Sequence, residues 1–247
     1  MITNTQGAYF NDPAIKAKYV DRYKQHMAAD AVIQGTGYAG GKGCFIGCTL
    51  ENYSHVQFER ELNVPQWAGH LTDKYFENCP SNLAAQFGLD VLEAIKCGQN
   101  IEPVRWKLAV WRHTKQLATL HDNNEPYAVK CKAALQQVIE YCQSKITGSP
   151  DDLAAADAHL AALSAASLAA RFAELSDNAA VYLAARRAAE ALHLAAFVYL
   201  VSAASVADIA QLLAASAQGS AARSAVWQEE RDMFLQLIRG TKLKGSN

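Results

Sequence analysis

The residues with the most chemical potential sit together in one run, Gly35-Thr-Gly-Tyr-Ala-Gly-Gly-Lys-Gly-Cys-Phe-Ile-Gly-Cys-Thr49. It holds six glycines, one lysine and two cysteines four positions apart. The first chemistry this suggests is that of a thiol. If Cys44 opens a helical turn after the glycines, the helix N-terminus and Lys42 would both favour its thiolate. His55 or His70 is then a candidate base, and Glu51 or Glu59 a candidate orienting carboxylate. This is a Cys-His arrangement with Cys44 or Cys48 as the nucleophile and His55 as the first choice of base. The favoured reading of the same cysteines is as small buried hydrophobes in a tight turn, the commoner fate of a free cysteine.

A second chemistry is anion binding. Glycines let backbone N–H groups converge on a phosphate, so Gly41, Lys42 and Gly43 are candidate ligand-binding residues within the Gly40–Gly43 loop. The match to a nucleotide-binding P-loop fails at two points. Thr36 stands where the first glycine is required, and Gly43 follows the lysine in place of Ser or Thr. A third chemistry, metal binding, lacks the usual second close pair of Cys or His: His55, His70 and Cys79 are scattered. A radical iron–sulfur spacing would need cysteine at position 51, which is Glu51. The sequence therefore predicts no metal and no cofactor.

The elements that must position these residues are helices. Asp12-Pro13 is an N-cap followed by proline at the first helical position, predicting a helix from Pro13 to about Val32. Ser54 and Gln57 resemble a capping box that opens a helix through Leu62. Pro65 opens another, to about Asn78. Ser81 or Asn82 caps a run from Leu83 to Cys97, with Gly98 as its closing glycine. Pro103 and Pro126 open two more, the second reaching about Ile146 and stopped by Gly148. Strand signals are nearly absent, because no run of β-branched or aromatic residues alternates with polar ones between turn residues. The expected fold class is all-α: a multi-helix bundle or array with a glycine-rich loop in its N-terminal half.

Composition changes sharply at Gly148-Ser149-Pro150-Asp151-Asp152, where 30 of the next 75 residues (151–225) are alanine. Alanine has the best helix propensity but buries little area. Such helices need neighbours, so residues 1–148 are expected to form one helical domain. Residues 149–247 are expected to form an alanine-rich helical segment packed on it or on a second copy. Breaks are expected near Ser176, Ser202 and Gly219, and Gly240 should end the last helix. The most apolar stretch, Ala191–Ala207, is interrupted by His193, Ser202 and Ser205 and is too short and polar for a membrane span.

The 23 Lys and Arg nearly balance the 24 Asp and Glu across 247 residues, and the isoelectric point is about 6.6. Neither points to general nucleic-acid affinity. The first residues lack a basic segment followed by an apolar core, so no signal peptide is expected, and the six cysteines read as reduced thiols in the cytoplasm.

The segment Gly41-Lys-Gly-Cys-Phe-Ile-Gly-Cys-Thr49 resembles the signature of a family of uncharacterised bacterial and bacteriophage proteins, Gly-Lys-Gly-Cys-x-x-Gly-Cys-Thr. The similarity continues through an acidic residue, the segment Phe58–Pro65 and a helix like Leu71–Asn78. The resemblance implies a helical fold, an alanine-rich C-terminal tail and a phage or mobile-element setting, and assigns no catalytic residue. Taken with the lack of a complete catalytic motif, it leads to a first expectation of a non-enzymatic interaction or accessory protein that binds a protein partner or itself. A thiol-dependent enzyme and a phosphate-binding protein are the two alternatives.

Overall fold

The computed structural model describes residues 7–119, 126–147 and 220–240. The alanine-rich stretch, with its expected helix breaks, the Ala191–Ala207 run and the expected boundary at residue 148, lies outside the described residues. Those residues are predominantly helical, as expected: α1 Pro13–Ala28, α2 Phe45–Leu50, α3 His55–Leu62, α4 Gln66–Glu77, α5 Ser81–Ala94, α6 Glu102–Thr119, α7 Pro126–Thr147 and α8 Ser220–Arg239. None of these helices is long and apolar enough to cross a membrane.

Several helix starts follow the local chemistry read from the sequence. The Asp12 carboxylate accepts from Ala14 N at 2.7 Å, with Pro13 at the first helical position. The Ser54 hydroxyl accepts from Gln57 N at 3.2 Å. Two helix ends differ. α1 stops at Ala28 rather than near Val32, because Asp30 takes a left-handed conformation (φ 51°) and turns the chain toward the glycine run. α5 stops at Ala94 rather than Cys97. Its last carbonyls are satisfied from a distance: Lys16 Nζ donates to Glu93 O at 2.7 Å and Ile95 O at 2.6 Å, and Tyr9 Oη donates to Leu92 O at 2.8 Å. Gly98 instead pairs with the N-terminal segment, donating its N–H to Ala8 O at 2.8 Å while Ala8 N donates to Gln99 O at 2.9 Å. That pairing helps to hold Tyr9, Phe10 and Asn11 in consecutive left-handed conformations, each of which costs roughly 1–2 kcal/mol for a side-chain-bearing residue.

The chain divides into two units. The first contains residues up to Val104 and those from Ser224 onward; the second runs from Arg105 to Arg223. In the first, the six-residue α2 is buried along its whole length and packs against α1, α3 and α4. Phe45 is its anchor, with ring centroids 5.9 Å from Tyr23 and 5.8 Å from Phe58. Burying a side chain of this size contributes about 1.5–3 kcal/mol, so α2 is held by tertiary packing rather than by its own length. α8 completes this unit. Tyr75 of α4 meets Trp227 and Phe234 with centroids 5.9 and 5.7 Å away, and Gln99 Nε2 donates to Ile238 O at 2.8 Å. In the second unit, α6 and α7 meet through Trp106 and Tyr141, edge to face at 6.0 Å, and Leu108, Leu135, Val138, Ile139 and Cys142 are buried.

Candidate functional site

The glycine run folds into the smallest possible antiparallel ribbon, β1 (Tyr38–Ala39) paired with β2 (Lys42–Gly43). Gly40 and Gly41 form its tip, at φ 58° and 79°, as a two-residue hairpin requires of both central residues. No strand was expected here. The two-residue strands are too short to carry an alternating pattern, and the glycines themselves were the signal of the turn. Gly41 and Lys42 are solvent-exposed at this tip and Gly43 is buried behind it, so the Gly40–Gly43 glycines serve the turn. A closer constraint lies at Gly47. A side-chain carbon there would overlap the carbonyl of Gly37, so the loop lies directly on α2.

That contact, with two hydrogen bonds from Cys44 N to Thr36 O (2.7 Å) and Gly37 O (3.1 Å), fixes Cys44 as the N-cap residue of α2. The same loop is tied to the end of α4. Gln34 Nε2 donates to Phe76 O at 2.7 Å and Cys79 O at 2.8 Å, and Gly35 N donates to Glu77 Oε2 at 2.8 Å. Cys44 is thereby carried to α4, whose His70, Asp73 and Glu77 follow one another at helical spacing along one face.

At this meeting point the Cys44 sulfur and a carboxylate oxygen from each of Asp73 and Glu77 lie within 4.8 Å of one another. Tyr53 Oη donates to Asp73 Oδ2 at 3.1 Å, and His55 Nε2 stands 3.6 Å from the same oxygen. The imidazoles of His55 and His70 stack with centroids 3.6 Å apart. Asp73 is buried, yet its Oδ1 has no hydrogen-bond partner, and neither has His55 Nε2 nor the fully buried Tyr23 Oη. Buried polar atoms are ordinarily satisfied, so three such atoms around one cluster mark it as unusual.

The electrostatics differ from the sequence expectation. Burial pushes the Cys44 thiol well above the usual cysteine range, and the Asp73 carboxylate pushes it further. The N–H groups of Gly47 and Ile46 at the start of α2 act in the opposite sense and are outweighed. The expected lowering by Lys42 and a helix terminus is thus reversed, because burial, and after it a carboxylate that only the tertiary fold brings in, outweigh the helix start. Burial also raises Glu77, reinforced by Asp73 and opposed by the hydrogen bond from Gly35. Burial, then the neighbouring His55, lowers His70 to about 4, so its ring is neutral at pH 7.

Cys48 lies outside this cluster. It is fully buried, its sulfur faces Gly43 O at 3.2 Å and Ala31 O at 3.5 Å, and burial raises its thiol to about 11. It acts as a small core residue that latches the loop. Of the sequence candidates, Cys44 and His55 therefore converge on one cluster, while Gly41 and Lys42 lie on the exposed hairpin tip. The carboxylate that the fold places beside His55 is neither Glu51, which pairs with Arg22 (3.5 Å) and His26 (3.8 Å), nor Glu59, which accepts from Gln66 Nε2 at 2.8 Å, but Asp73. Sequence reasoning missed Asp73, Glu77 and Tyr53. The available signal was the His70, Asp73, Glu77 spacing on the helix opened by Pro65, a pattern that ordinarily marks a solvated face.

Compared with known proteins, the chain matches no protein-family model, and no curated protein or solved structure matches it.

Proposed function

We propose that this protein is a thiol-dependent enzyme whose reaction centre is the Cys44, Asp73 and Glu77 cluster, with His55 as its proton acceptor. The observation that carries this reading is the convergence of a thiol, two carboxylates and an imidazole from three separate elements in a largely buried place. Burying such groups opposes folding unless they are fully paired, and here Asp73 Oδ1 and His55 Nε2 are left without hydrogen-bond partners. Titratable groups shifted by burial, as Cys44, Glu77 and His70 are here, cluster at reaction centres. The chemistry that fits is cleavage of an ester, thioester or amide, with the sulfur essential: a nucleophile gives its proton to the imidazole and bonds to the carbonyl carbon, and the alcohol, thiol or amine departs as its bond to that carbon breaks, taking the proton back from the imidazole. Tyr53, which donates to Asp73 Oδ2, is 49% exposed, so the cluster's hydrogen-bond network reaches a residue at the surface.

The non-enzymatic interaction reading has less support. Large exposed apolar side chains among the described residues are Tyr53, Val56, Leu83 and Val129. They sit on separate elements apart from the neighbouring Tyr53 and Val56, and single exposed apolar residues are ordinary on any protein surface. A cytoplasmic setting belongs to the same proposal. Cys44, Cys48, Cys79, Cys97 and Cys142 are all free thiols, which suits a reducing compartment. The bacterial or bacteriophage origin implied by the 41–49 signature is likewise part of it.

The test is a turnover screen over aryl esters, thioesters and peptide amides, run in parallel on the wild type, Cys44→Ser and Cys48→Ser. Turnover should fall at least about 100-fold in Cys44→Ser, on the scale of losing an essential catalytic group, and persist in Cys48→Ser. Turnover that is equal in all three, or absent from all three across the panel, counts against the reading.

A further inference from the structure

We propose that Cys44, Asp73 and Glu77 form a binding site for one divalent transition-metal ion of the zinc class, with a fourth position, beside His55, left for a solvent or substrate oxygen. This rests on the reading of the cluster as a reaction centre and assigns the sulfur a role in it, that of a metal ligand.

The geometry comes first. One sulfur and two carboxylate oxygens lie mutually within 4.8 Å. Around a tetrahedral zinc ion, with Zn–S near 2.3 Å and Zn–O near 2.0 Å, ligand atoms stand roughly 3.3–3.5 Å apart. Asp73 and Glu77 are four residues apart on one helix and so already share a face. Cys44 is held opposite them by its two backbone hydrogen bonds to Thr36 and Gly37.

The second observation is independent of that spacing. The Asp73 side chain is 9% exposed and its Oδ1 lacks a hydrogen-bond partner. Tyr23, from α1, is fully buried with its hydroxyl unpartnered, and its charged-group neighbours are Cys48, Cys44 and Asp73. Buried polar atoms so placed call for a partner, such as an ordered water or a bound ion.

Donor chemistry selects the ion class. A thiolate disfavours magnesium and calcium, which take oxygen ligands, whereas mixed sulfur and oxygen donors suit zinc. Three protein ligands with an open fourth position is the arrangement of a catalytic rather than a structural zinc site. His55 Nε2, 3.6 Å from Asp73 Oδ2, stands where it could accept a proton from whatever occupies that position. The stacked, neutral His70 braces its ring.

The experiment uses the full chain, stripped with a chelator and titrated with Zn²⁺ and, separately, with Co²⁺ as a spectroscopic substitute. Expected are saturable one-to-one Zn²⁺ binding and a rise in thermal stability. The Co²⁺ form should show sulfur-to-cobalt charge-transfer absorption in the near ultraviolet that disappears in Cys44→Ser and persists in Cys48→Ser. Asp73→Asn and Glu77→Gln, which keep side-chain shape, should each weaken Zn²⁺ binding at least about tenfold with unchanged far-ultraviolet circular dichroism. Absence of saturable binding, or a charge-transfer band that survives Cys44→Ser, overturns the site. The two proposals separate cleanly. Cys44-dependent turnover in protein that binds no Zn²⁺ removes the metal and keeps the enzyme, whereas Cys44-dependent metal binding without turnover keeps the metal site and removes the enzyme.

Discussion

Asp73 Oδ2 is shared between Tyr53 Oη at 3.1 Å and His55 Nε2 at 3.6 Å, so one carboxylate on α4 joins the residues that flank the start of α3 to the sulfur at the start of α2. Tyr53 and His55 are two positions apart in the chain and their rings meet edge to face at 5.3 Å. Asp73 raises the Cys44 thiol and lies beside the imidazole of His55.

Replacing Asp73 by Asn removes the carboxylate charge that opposes ionisation of Cys44. The Cys44 thiol pKa should fall. In metal-free protein at a fixed pH below that pKa, alkylation of Cys44 should accelerate by about tenfold for each unit of the fall. Peptide mapping after timed iodoacetamide exposure reads the rate, with Cys48 as the internal control. An unchanged or slower rate at Cys44 would show that Asp73 does not govern the sulfur.

His70 is lowered to about 4 in the folded chain by burial and by His55, against an ordinary value near 6.5. Between about pH 6.5 and pH 4 the unfolded chain therefore binds a proton at this position that the folded chain does not. Stability should decline as pH falls through that window and this contribution should level off below about 4. Urea unfolding at a series of pH values measures the slope, and His70→Gln should flatten it. A slope unaltered by the substitution would assign the decline to other groups.

Gly47→Ala and Gly40→Ala should behave differently although both lie in the same run. A methyl at Gly47 overlaps the Gly37 carbonyl, whereas at Gly40 there is open space and the cost is that of a left-handed backbone at φ 58°. Gly40→Ala should cost about 1–2 kcal/mol. Gly47→Ala should cost about 3 kcal/mol or more, because two backbone segments must separate. Denaturation midpoints rank the two, and the reverse order would refute the packing of the loop on α2.

Phe234 is fully buried against Tyr75, which makes α8 part of the first unit despite its distance along the chain. Phe234→Ala should destabilise the unit that holds Cys44 by about 3–5 kcal/mol. Hydrogen exchange at amides of α4 and α5 checks this, since their protection should fall with that of α8. Unaltered protection in α4 would detach α8 from this core.

Much of the framework was legible before any coordinates. The caps at Asp12 and Ser54 and the prolines at 65 and 126 mark helix starts through local chemistry, which acts within a turn of the chain and so leaves its trace in neighbouring residues. The ends of α1 and α5 were less legible. One is set by a left-handed Asp30, the other by Lys16 and Tyr9 reaching across from another part of the chain.

The sequence by itself determined the helical class, most helix starts, and the identity of the unusual loop with its Cys44 and Cys48, because glycine, proline and capping residues act locally. It also placed His55 at a helix start. Only the tertiary structure decided that Cys44 and not Cys48 meets titratable partners, and that the partner carboxylates are Asp73 and Glu77 and not Glu51 or Glu59. It also decided that the thiol is pushed up rather than down. These outcomes depend on through-space distances of a few ångströms between residues some thirty positions apart, and in a low-dielectric interior such distances decide the sign of an electrostatic effect.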